Sequence, residues 1–158
     1  MSRSEPLPAR PRGFTLVEVL ITLVVVALLA LVALPAFNDS IRKSRRSEAF
    51  AALSAVQQAQ ERWRSTRPAY ASELTALPTD DPPGLGLPDH TPTNYYGIAL
   101  SGASATGYVA TATGTAGTSQ AADGNCVVLG VRVAGGNISY GSGASTIDWS
   151  DPNRCWAR

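Results

Sequence analysis

Residues 14–34 form an almost unbroken apolar run near the start of the chain. Glu18 is the only charged residue among the 21 positions from Phe14 to Leu34. At a rise of about 1.5 Å per residue, a helix of this length spans roughly 31 Å, which matches the hydrocarbon core of a bilayer. The pattern therefore predicts a membrane-spanning helix with one carboxylate about 6 Å from its start.

Immediately after this run the pattern changes to that of an amphipathic helix. Pro35 removes one helical hydrogen bond, so we expect a kink or the loss of a turn there. Apolar residues then recur at steps of three and four, namely Ala49, Ala52, Val56, Ala59 and Trp63, with Phe50 and Leu53 beside them. One face of this segment should be buried. The helix is predicted to run from Phe14 to about Thr66 and to end at Arg67-Pro68.

Residues 67–158 have the pattern of a small β-rich domain. Short β-branched and aromatic segments alternate with turns rich in Gly, Ser and Ala, as in an antiparallel meander. The predicted strands are Tyr95–Leu100, Tyr108–Thr113, Cys126–Val133 and Ile138–Tyr140. Tyr70–Leu74 suggests a short helical turn, and residues 78–94 form a loop with five prolines. A domain of only about 90 residues needs the preceding helix to complete its core.

Charge is unevenly distributed, although the formal net charge is only +1. Residues 42–67 contain seven bases and two acids, whereas residues 68–158 contain three bases and seven acids. Four of the bases lie close together: Arg42, Lys43, Arg45 and Arg46. We interpret this basic cluster as an anchor on anionic lipid headgroups, because DNA binding needs more than one basic cluster at a membrane surface.

Cys126 and Cys155 are the two cysteines of the chain. Downstream of a membrane-targeting segment they indicate an oxidising compartment and one disulfide, in preference to two buried thiols in the cytosol. Closing this loop would stabilise the fold by roughly 3–4 kcal/mol on the chain-entropy model. The cysteines also favour a C-terminal domain outside the cytoplasm, because the bases on the two sides of the apolar run do not decide its orientation.

No catalytic or metal-binding constellation is visible. His90 is the single histidine, and two cysteines 29 positions apart do not make a zinc site. Asp80 and Asp81 could bind calcium, but the further oxygen ligands that this ion needs are not evident. We therefore predict no enzymatic activity, no cofactor and no metal.

The stretch from Gly13 to Glu18, Gly-Phe-Thr-Leu-Val-Glu, resembles the class III signal of type IV pilins and pseudopilins. A secretory signal would instead place an A-x-A-like cleavage site after the apolar run. The resemblance implies that a prepilin peptidase cuts between Gly13 and Phe14 and methylates the new N-terminal Phe14. It also implies that Glu18 forms a salt bridge with the N-terminal ammonium of a neighbouring subunit. A first-turn acid that favours the helix dipole is the alternative.

Pro35, the stretch Asn38–Ala49 and the terminal Cys155-Trp156 resemble PilE-like minor pilins of Gram-negative bacteria. The implied α+β architecture is a pilin fold, in which a long N-terminal helix, half transmembrane and half amphipathic, packs on a small antiparallel sheet. The implied divisions are a leader (1–13), a transmembrane and filament-core helix (14–34), an amphipathic stem helix (35–66) and a β-rich head with a disulfide-bounded C-terminal loop (67–158). The loop at 80–92 is an addition to this pattern.

Such a protein is a structural subunit of a type IV pilus, used for adhesion, twitching motility or DNA uptake. The resemblance implies a single pass through the inner membrane, with the N-terminus in the cytoplasm and the head in the periplasm, before assembly into an extracellular pilus. The implied partners are other pilin subunits, the prepilin peptidase and an inner-membrane assembly platform with its ATPase.

Three other functions compete with this interpretation. A type II secretion pseudopilin shares the leader and helix but usually lacks the cysteine pair. A DNA-receptor pilin in competence would need a basic head, whereas this head is acidic, so nucleic acid is a less favoured partner. A single-span membrane enzyme would need a site. We also consider that basic stems attract acidic heads of neighbouring subunits, which charge reversal of Arg62 and Arg64 would test at low salt.

Overall fold

The computed structural model describes residues 13–150 and 153–156, without the side chains of residues 35 and 36. The predicted leader up to residue 12 and the last two residues therefore lie outside the described part. The regular elements are α1 (Leu16–Arg64), β1 (Tyr96–Ser101), β2 (Gly107–Gly114), β3 (Val128–Ala134) and β4 (Asn137–Gly143). Two short 3₁₀-helices, Ser119–Ala122 and Gly124–Cys126, lie between β2 and β3.

The four strands form an antiparallel meander in the order β1-β2-β3-β4. The α+β pilin-like architecture expected from the sequence is therefore confirmed. The third strand begins at Val128 rather than Cys126, because Gly124–Cys126 closes a 3₁₀ turn. The fourth strand is longer than predicted and ends at Gly143.

The predicted helical turn at Tyr70–Leu74 is wrong. Backbone groups in this segment bond to distant partners instead of to each other. Glu73 and Leu74 accept hydrogen bonds from the amides of Leu85 and Leu87 at 3.0 and 2.9 Å. The Gln60 side chain bonds both the amide and the carbonyl of Ala71 at 2.9 Å. These bonds hold the segment against the stem and the proline-rich loop.

The helix α1 runs without a break through position 35, so no turn is lost there. A bend at Pro35 stays a prediction. The chain divides at residue 39 into two compact units, and each is described by itself. In the first unit, the large apolar side chains of α1 are exposed on all sides of the helix. Leu16 is 76% exposed and Leu34 is 61% exposed, and the lowest value among the large apolar side chains between them is 46%, at Val19. By length and composition alone, α1 can cross a membrane.

The core of the second unit lies between one face of α1 and the inner face of the sheet. The face of α1 contributes Ala49, Leu53 and Val56, which are at most 1% exposed. The sheet contributes alternate residues of its strands: Tyr96, Ile98, Tyr108, Ala110, Ala112, Leu129, Val131 and Val133. This confirms the predicted buried stripe, except that Ala52 and Trp63 are only half-buried at its margins.

Candidate functional site

The predicted processing site lies at the start of the described chain. Gly13 and Phe14 precede α1, and Phe14 is 82% exposed. Glu18 lies in the first turn, where its amide donates a hydrogen bond to Thr15 Oγ1 at 3.2 Å. Thr15 thus caps the helix, and a carboxylate three residues later is well placed to interact with the helix dipole.

Two members of the basic cluster in the stem bind the head of the same chain. Arg46 makes a two-point ion pair with the Asp123 carboxylate, with Nε–Oδ2 and Nη2–Oδ1 distances of 2.6 and 2.7 Å. Arg45 donates a hydrogen bond to Ser119, and its guanidinium lies 3.8 Å from the centroid of the Tyr95 ring. The structure therefore gives Arg45 and Arg46 contacts inside the subunit, and the contact of the basic cluster with lipid headgroups stays a prediction.

A buried polar network continues this contact into the core. Gln120 is fully buried, and its Nε2 donates to the Tyr96 hydroxyl at 2.7 Å and to the Arg42 carbonyl at 3.4 Å. Burial raises the pKa of Tyr96, although the hydrogen bond from Gln120 acts in the opposite direction. The hydroxyl thus stays neutral, and the network joins stem, β1 and the β2–β3 connection.

The acidic residues of the head are confined to a few places. Within 96–143, which covers all four strands, Asp123 is the single acid and Arg132 the single base. Asp123 is neutralised by Arg46 and is only 7% exposed. The remaining acids of the head fall in two groups, before β1 and after β4: Glu73, Asp80, Asp81 and Asp89, then Asp148 and Asp151. The average charge of the head therefore does not describe its individual surfaces.

The proline-rich loop before β1 uses its polar groups locally. Asp80 accepts a hydrogen bond from the Leu77 amide at 2.7 Å. The Asp89 carboxylate is 2.9 Å from Nδ1 of His90, and this hydrogen bond lowers the pKa of Asp89. Among the described residues, no group of three or more His, Cys, Asp or Glu side chains could hold a metal ion.

The C-terminal end of the stem carries arginines stacked on aromatic rings. The guanidinium of Arg67 lies 3.5 Å from the centroid of Trp63, and that of Arg64 lies 5.2 Å from the centroid of Tyr70. Arg64 also donates a hydrogen bond to the Arg67 carbonyl at 2.8 Å. We call these two residues and the exposed Arg62 the stem-end arginine cluster. Stacking restricts the side chains while leaving their charge in place.

The stem-end arginine cluster lies near two of the loops that connect the strands. The Tyr70 ring packs 4.9 Å from that of Tyr108 in β2, and the Tyr70 amide donates to the Ser104 carbonyl at 2.9 Å. The stem-end arginine cluster therefore lies at the end of the sheet where the β1–β2 loop and the β3–β4 hairpin turn. Residues 101–107 and 134–138 at this end carry no charged side chain.

The C-terminal segment is held to the sheet edge by a disulfide and a tryptophan. Cys126 and Cys155 form the disulfide, with Cα atoms 5.7 Å apart. Trp156 lies between Phe50 of the stem and Tyr140 of β4, with ring centroids 4.6 and 4.8 Å away. Its Nε1 donates to the Gly141 carbonyl at 2.8 Å. The disulfide-bounded loop thus fastens the last strand to the stem.

A second tryptophan lies on the outer face of the sheet, opposite the stem. Gly130 and Gly141 face each other across β3 and β4. A Cβ atom added to Gly130 would lie 2.7 Å from Ile147 and 3.0 Å from the Trp149 ring, and one added to Gly141 would lie still closer to Ile147 and 2.8 Å from the Trp149 ring. The glycines therefore make room for both Ile147 and Trp149. The guanidinium of Arg132 lies 4.7 Å from the ring centroid.

Most of these contacts were not predicted from the sequence. The i, i+4 spacing of Trp63 and Arg67 at the end of a helix was a signal that could have been used. The pairings of Arg46 with Asp123 and of Arg132 with Trp149 depend on strand register and loop path, for which the sequence carries no local signal.

The fold and the exposed apolar helix together define a filament subunit of the type IV pilin class. Residues 8–34 match the family described as the prokaryotic N-terminal methylation motif. Residues 35–130, more than half of the chain, match the family described as type IV minor pilin ComP, DNA uptake sequence receptor. The chain belongs to this family of minor pilins. No curated protein matches the chain significantly.

These matches support the predicted type IV pilus minor pilin and favour it over a secretion pseudopilin. The DNA-receptor alternative, set aside because of the acidic head, also gains support from the family. The average charge of the head is a weak argument against this alternative, because the acids lie outside the strands and Asp123 is paired with Arg46. The match to the receptor family ends at residue 130, so Arg132 and Trp149 lie beyond it.

Proposed function

We propose that this minor pilin binds duplex DNA with its head and serves DNA uptake. The observation that carries the proposal is the stem-end arginine cluster, which lies inside the region matched by the receptor family. Guanidinium groups contact phosphate oxygens through several N–H donors, and such contacts supply most of the sequence-independent affinity for DNA.

The surroundings of the cluster suit a polyanion. The neighbouring β1–β2 loop and β3–β4 hairpin are built of small, uncharged residues, so they neither repel phosphate nor block its approach. Glu61 is an acid adjacent in sequence to the cluster, and the three arginines outnumber it. The stacking of Arg67 on Trp63 and of Arg64 on Tyr70 lowers the entropy lost when these side chains bind.

DNA binding should be measured with the full-length protein in detergent and a labelled duplex, over a range of salt concentrations. The variant R62Q/R67Q removes two charges of the cluster and leaves Arg64, which is bonded to the backbone. The matched control K43Q/R154Q removes two charges from exposed side chains elsewhere. We expect the cluster variant to reduce the slope of log K against log salt by up to about 1.8, since each phosphate contact contributes about 0.9.

Absence of binding by the wild-type protein, or equal losses in the two double variants, would contradict the proposal. Thermal unfolding of both variants should match that of the wild type, because neither change touches the buried core.

For maturation, we infer that the chain is cut between Gly13 and Phe14 and methylated at Phe14. The exposure of Phe14 and the open space around Gly13 support access by a membrane peptidase. Residues 14–34 would then act as the transmembrane and filament-core helix, 35–66 as the stem and 67–158 as the head. The intact mass from cells with and without the prepilin peptidase tests this, and a chain that keeps Met1 in both strains would refute it.

We further infer a single pass through the inner membrane, with the head in the periplasm before assembly. The disulfide in the head supports this orientation, because disulfides persist in oxidising compartments. On extraction by the assembly platform, the apolar side chains of α1 would exchange lipid contacts for contacts with other helices. Glu18 would then neutralise the N-terminal ammonium of Phe14 on a neighbouring subunit, and Pro35 would allow a bend.

A further inference from the structure

The outer face of the sheet carries a stacked arrangement that is independent of the hydrophobic core. The indole ring of Trp149 packs against the sheet at the paired glycines Gly130 and Gly141. The guanidinium of Arg132 stacks over this ring, 4.7 Å from the ring centroid. A larger residue at either glycine would clash with Ile147 and with the Trp149 ring, so the absence of side chains at both positions lets Trp149 lie close to the sheet beneath Arg132.

The Arg132 guanidinium has unused hydrogen-bonding capacity. Among the described residues it makes no hydrogen bond and no ion pair. The carboxylate of Asp148, which precedes Trp149 in the sequence, accepts hydrogen bonds from the amide and hydroxyl of Ser150, both at 2.9 Å. Stacking uses only the face of the guanidinium and leaves its N–H groups at the edge. A positive charge that is half-buried, held in place and without an anionic partner among the described residues can bind an anion from outside.

Arg132 lies at the same end of the sheet as the stem-end arginine cluster. It is adjacent to Val133, which pairs with Tyr108 across β2 and β3. The Tyr108 ring packs on Tyr70, over which Arg64 stacks. Side chains of neighbouring residues in a strand point to opposite faces, so Arg132 and the cluster flank this end of the sheet from its two sides.

We propose that Arg132, positioned by Trp149, is a second contact to the phosphate backbone of duplex DNA. The inference rests on the proposed function and extends its site to the opposite face of the sheet. DNA is the occupant because the half-buried group is a cation with free donors at the same end of the sheet as a first arginine cluster. The two residues that pair with Arg132 across the sheet, Val109 and Ser139, are uncharged, and the acid next to Trp149 in the sequence is Asp148.

The experiment compares full-length Arg132→Met, Arg132→Lys and Trp149→Phe with the wild type, using labelled duplexes of two unrelated sequences. Met keeps an apolar cover on Trp149 without the charge, and Lys keeps the charge without the planar fork. We expect Met to weaken binding about tenfold on both duplexes and to lower the salt slope by about 0.9. Lys should keep the slope and recover part of the affinity. Phe should weaken binding with no change in charge.

Unchanged DNA affinity in Arg132→Met would overturn the inference. So would a loss on only one of the two duplexes, because a phosphate contact weakens binding to all sequences alike. If Arg132→Met instead reduced incorporation into pili at unchanged DNA affinity, the surface would be an interface with another pilin subunit. Failure of the proposed function is distinguished by R62Q/R67Q: a loss there with none in Arg132→Met would refute only the second contact.

Discussion

The two halves of α1 differ in where their apolar side chains find partners. In residues 16–34 the apolar side chains cover all sides of the helix and contact little in the chain itself. In residues 40–64 they form a single stripe that the sheet covers. The comparison shows that one continuous helix can serve two kinds of surroundings, because side-chain pattern rather than backbone geometry decides what each half contacts.

The charged residues of the two halves follow the same division. Arg46 in the stem has its counter-charge, Asp123, in the same chain. Glu18 lies in the first turn, and our proposal gives it a counter-charge on another subunit. Variants in the stem should therefore change the stability of an isolated subunit, and variants in the first half should change its assembly. Four predictions test this division, in decreasing order of their expected effect on stability.

Arg46→Met should have the largest effect on stability. It leaves the Asp123 carboxylate buried without its partner, which typically costs about 3–5 kcal/mol of unfolding free energy. Denaturant unfolding of the full-length protein in detergent, followed by circular dichroism, measures the loss. The control Lys43→Met removes an exposed charge from the same cluster and should change stability by less than about 0.5 kcal/mol. Similar losses in the two variants would mean that the ion pair contributes nothing specific.

Leu53→Ala should lower the unfolding free energy by about 3 kcal/mol, because it opens a cavity in a fully buried part of the core. Leu29→Ala is the matched control in the first half of α1, where the side chain is 65% exposed. It should leave the unfolding of the head unchanged. An equal loss in both variants would break the division between the two halves.

The paired replacement of Cys126 and Cys155 by Ser should cost roughly 2–4 kcal/mol, the usual range for a disulfide. It should also weaken the packing of Trp156 between the stem and β4, visible as a change in tryptophan fluorescence. Reductant should lower the stability of the wild type by a similar amount and leave the Ser variant unaffected. A reductant effect on the Ser variant would show that the loss has another cause.

The pattern of the sequence predicted the elements but few of their partners. Both halves of α1 and the four strands were predictable, since a period of 3.6 or 2 is a local property of the chain. The burial of Ala49, Leu53 and Val56 on one face of the stem helix was predicted from this period. The turn at Tyr70–Leu74 was predicted wrongly because its backbone bonds go to Gln60 and to a distant loop.

The candidate site was less predictable because it depends on long-range placement. Arg46 and Asp123 are 77 positions apart, and only the fold brings them together. Asp123 lies in the β2–β3 connection, and the strands themselves contain one charged residue, Arg132. Likewise, Gly130 and Gly141 have a low strand propensity, and only the structure shows that Trp149 packs against them. Average charge and strand propensity are therefore poor guides to this surface.

Glu18→Gln should have the smallest effect on stability and a large effect on assembly. Gln keeps the size of the side chain and removes its charge, and residue 18 contributes nothing to the core of the head. We expect a change in unfolding free energy below about 0.5 kcal/mol. In a pilus, the N-terminal ammonium of the neighbouring subunit would lose its partner away from water, so incorporation into sheared pili should fall strongly.

The matched control for this variant is Glu61→Gln, which neutralises an exposed acid in the stem half of the same helix. It should leave incorporation unchanged. The N-terminal residue of the Glu18→Gln protein must also be determined, because loss of cleavage after Gly13 would stop assembly for a different reason. If Glu18→Gln is cut normally and enters pili as well as the wild type, the carboxylate acts only on the dipole of its own helix. In that case Glu18 is balanced by the dipole of its own helix and needs no charge on another subunit. The difference between the two halves of α1 would then hold only for their apolar side chains.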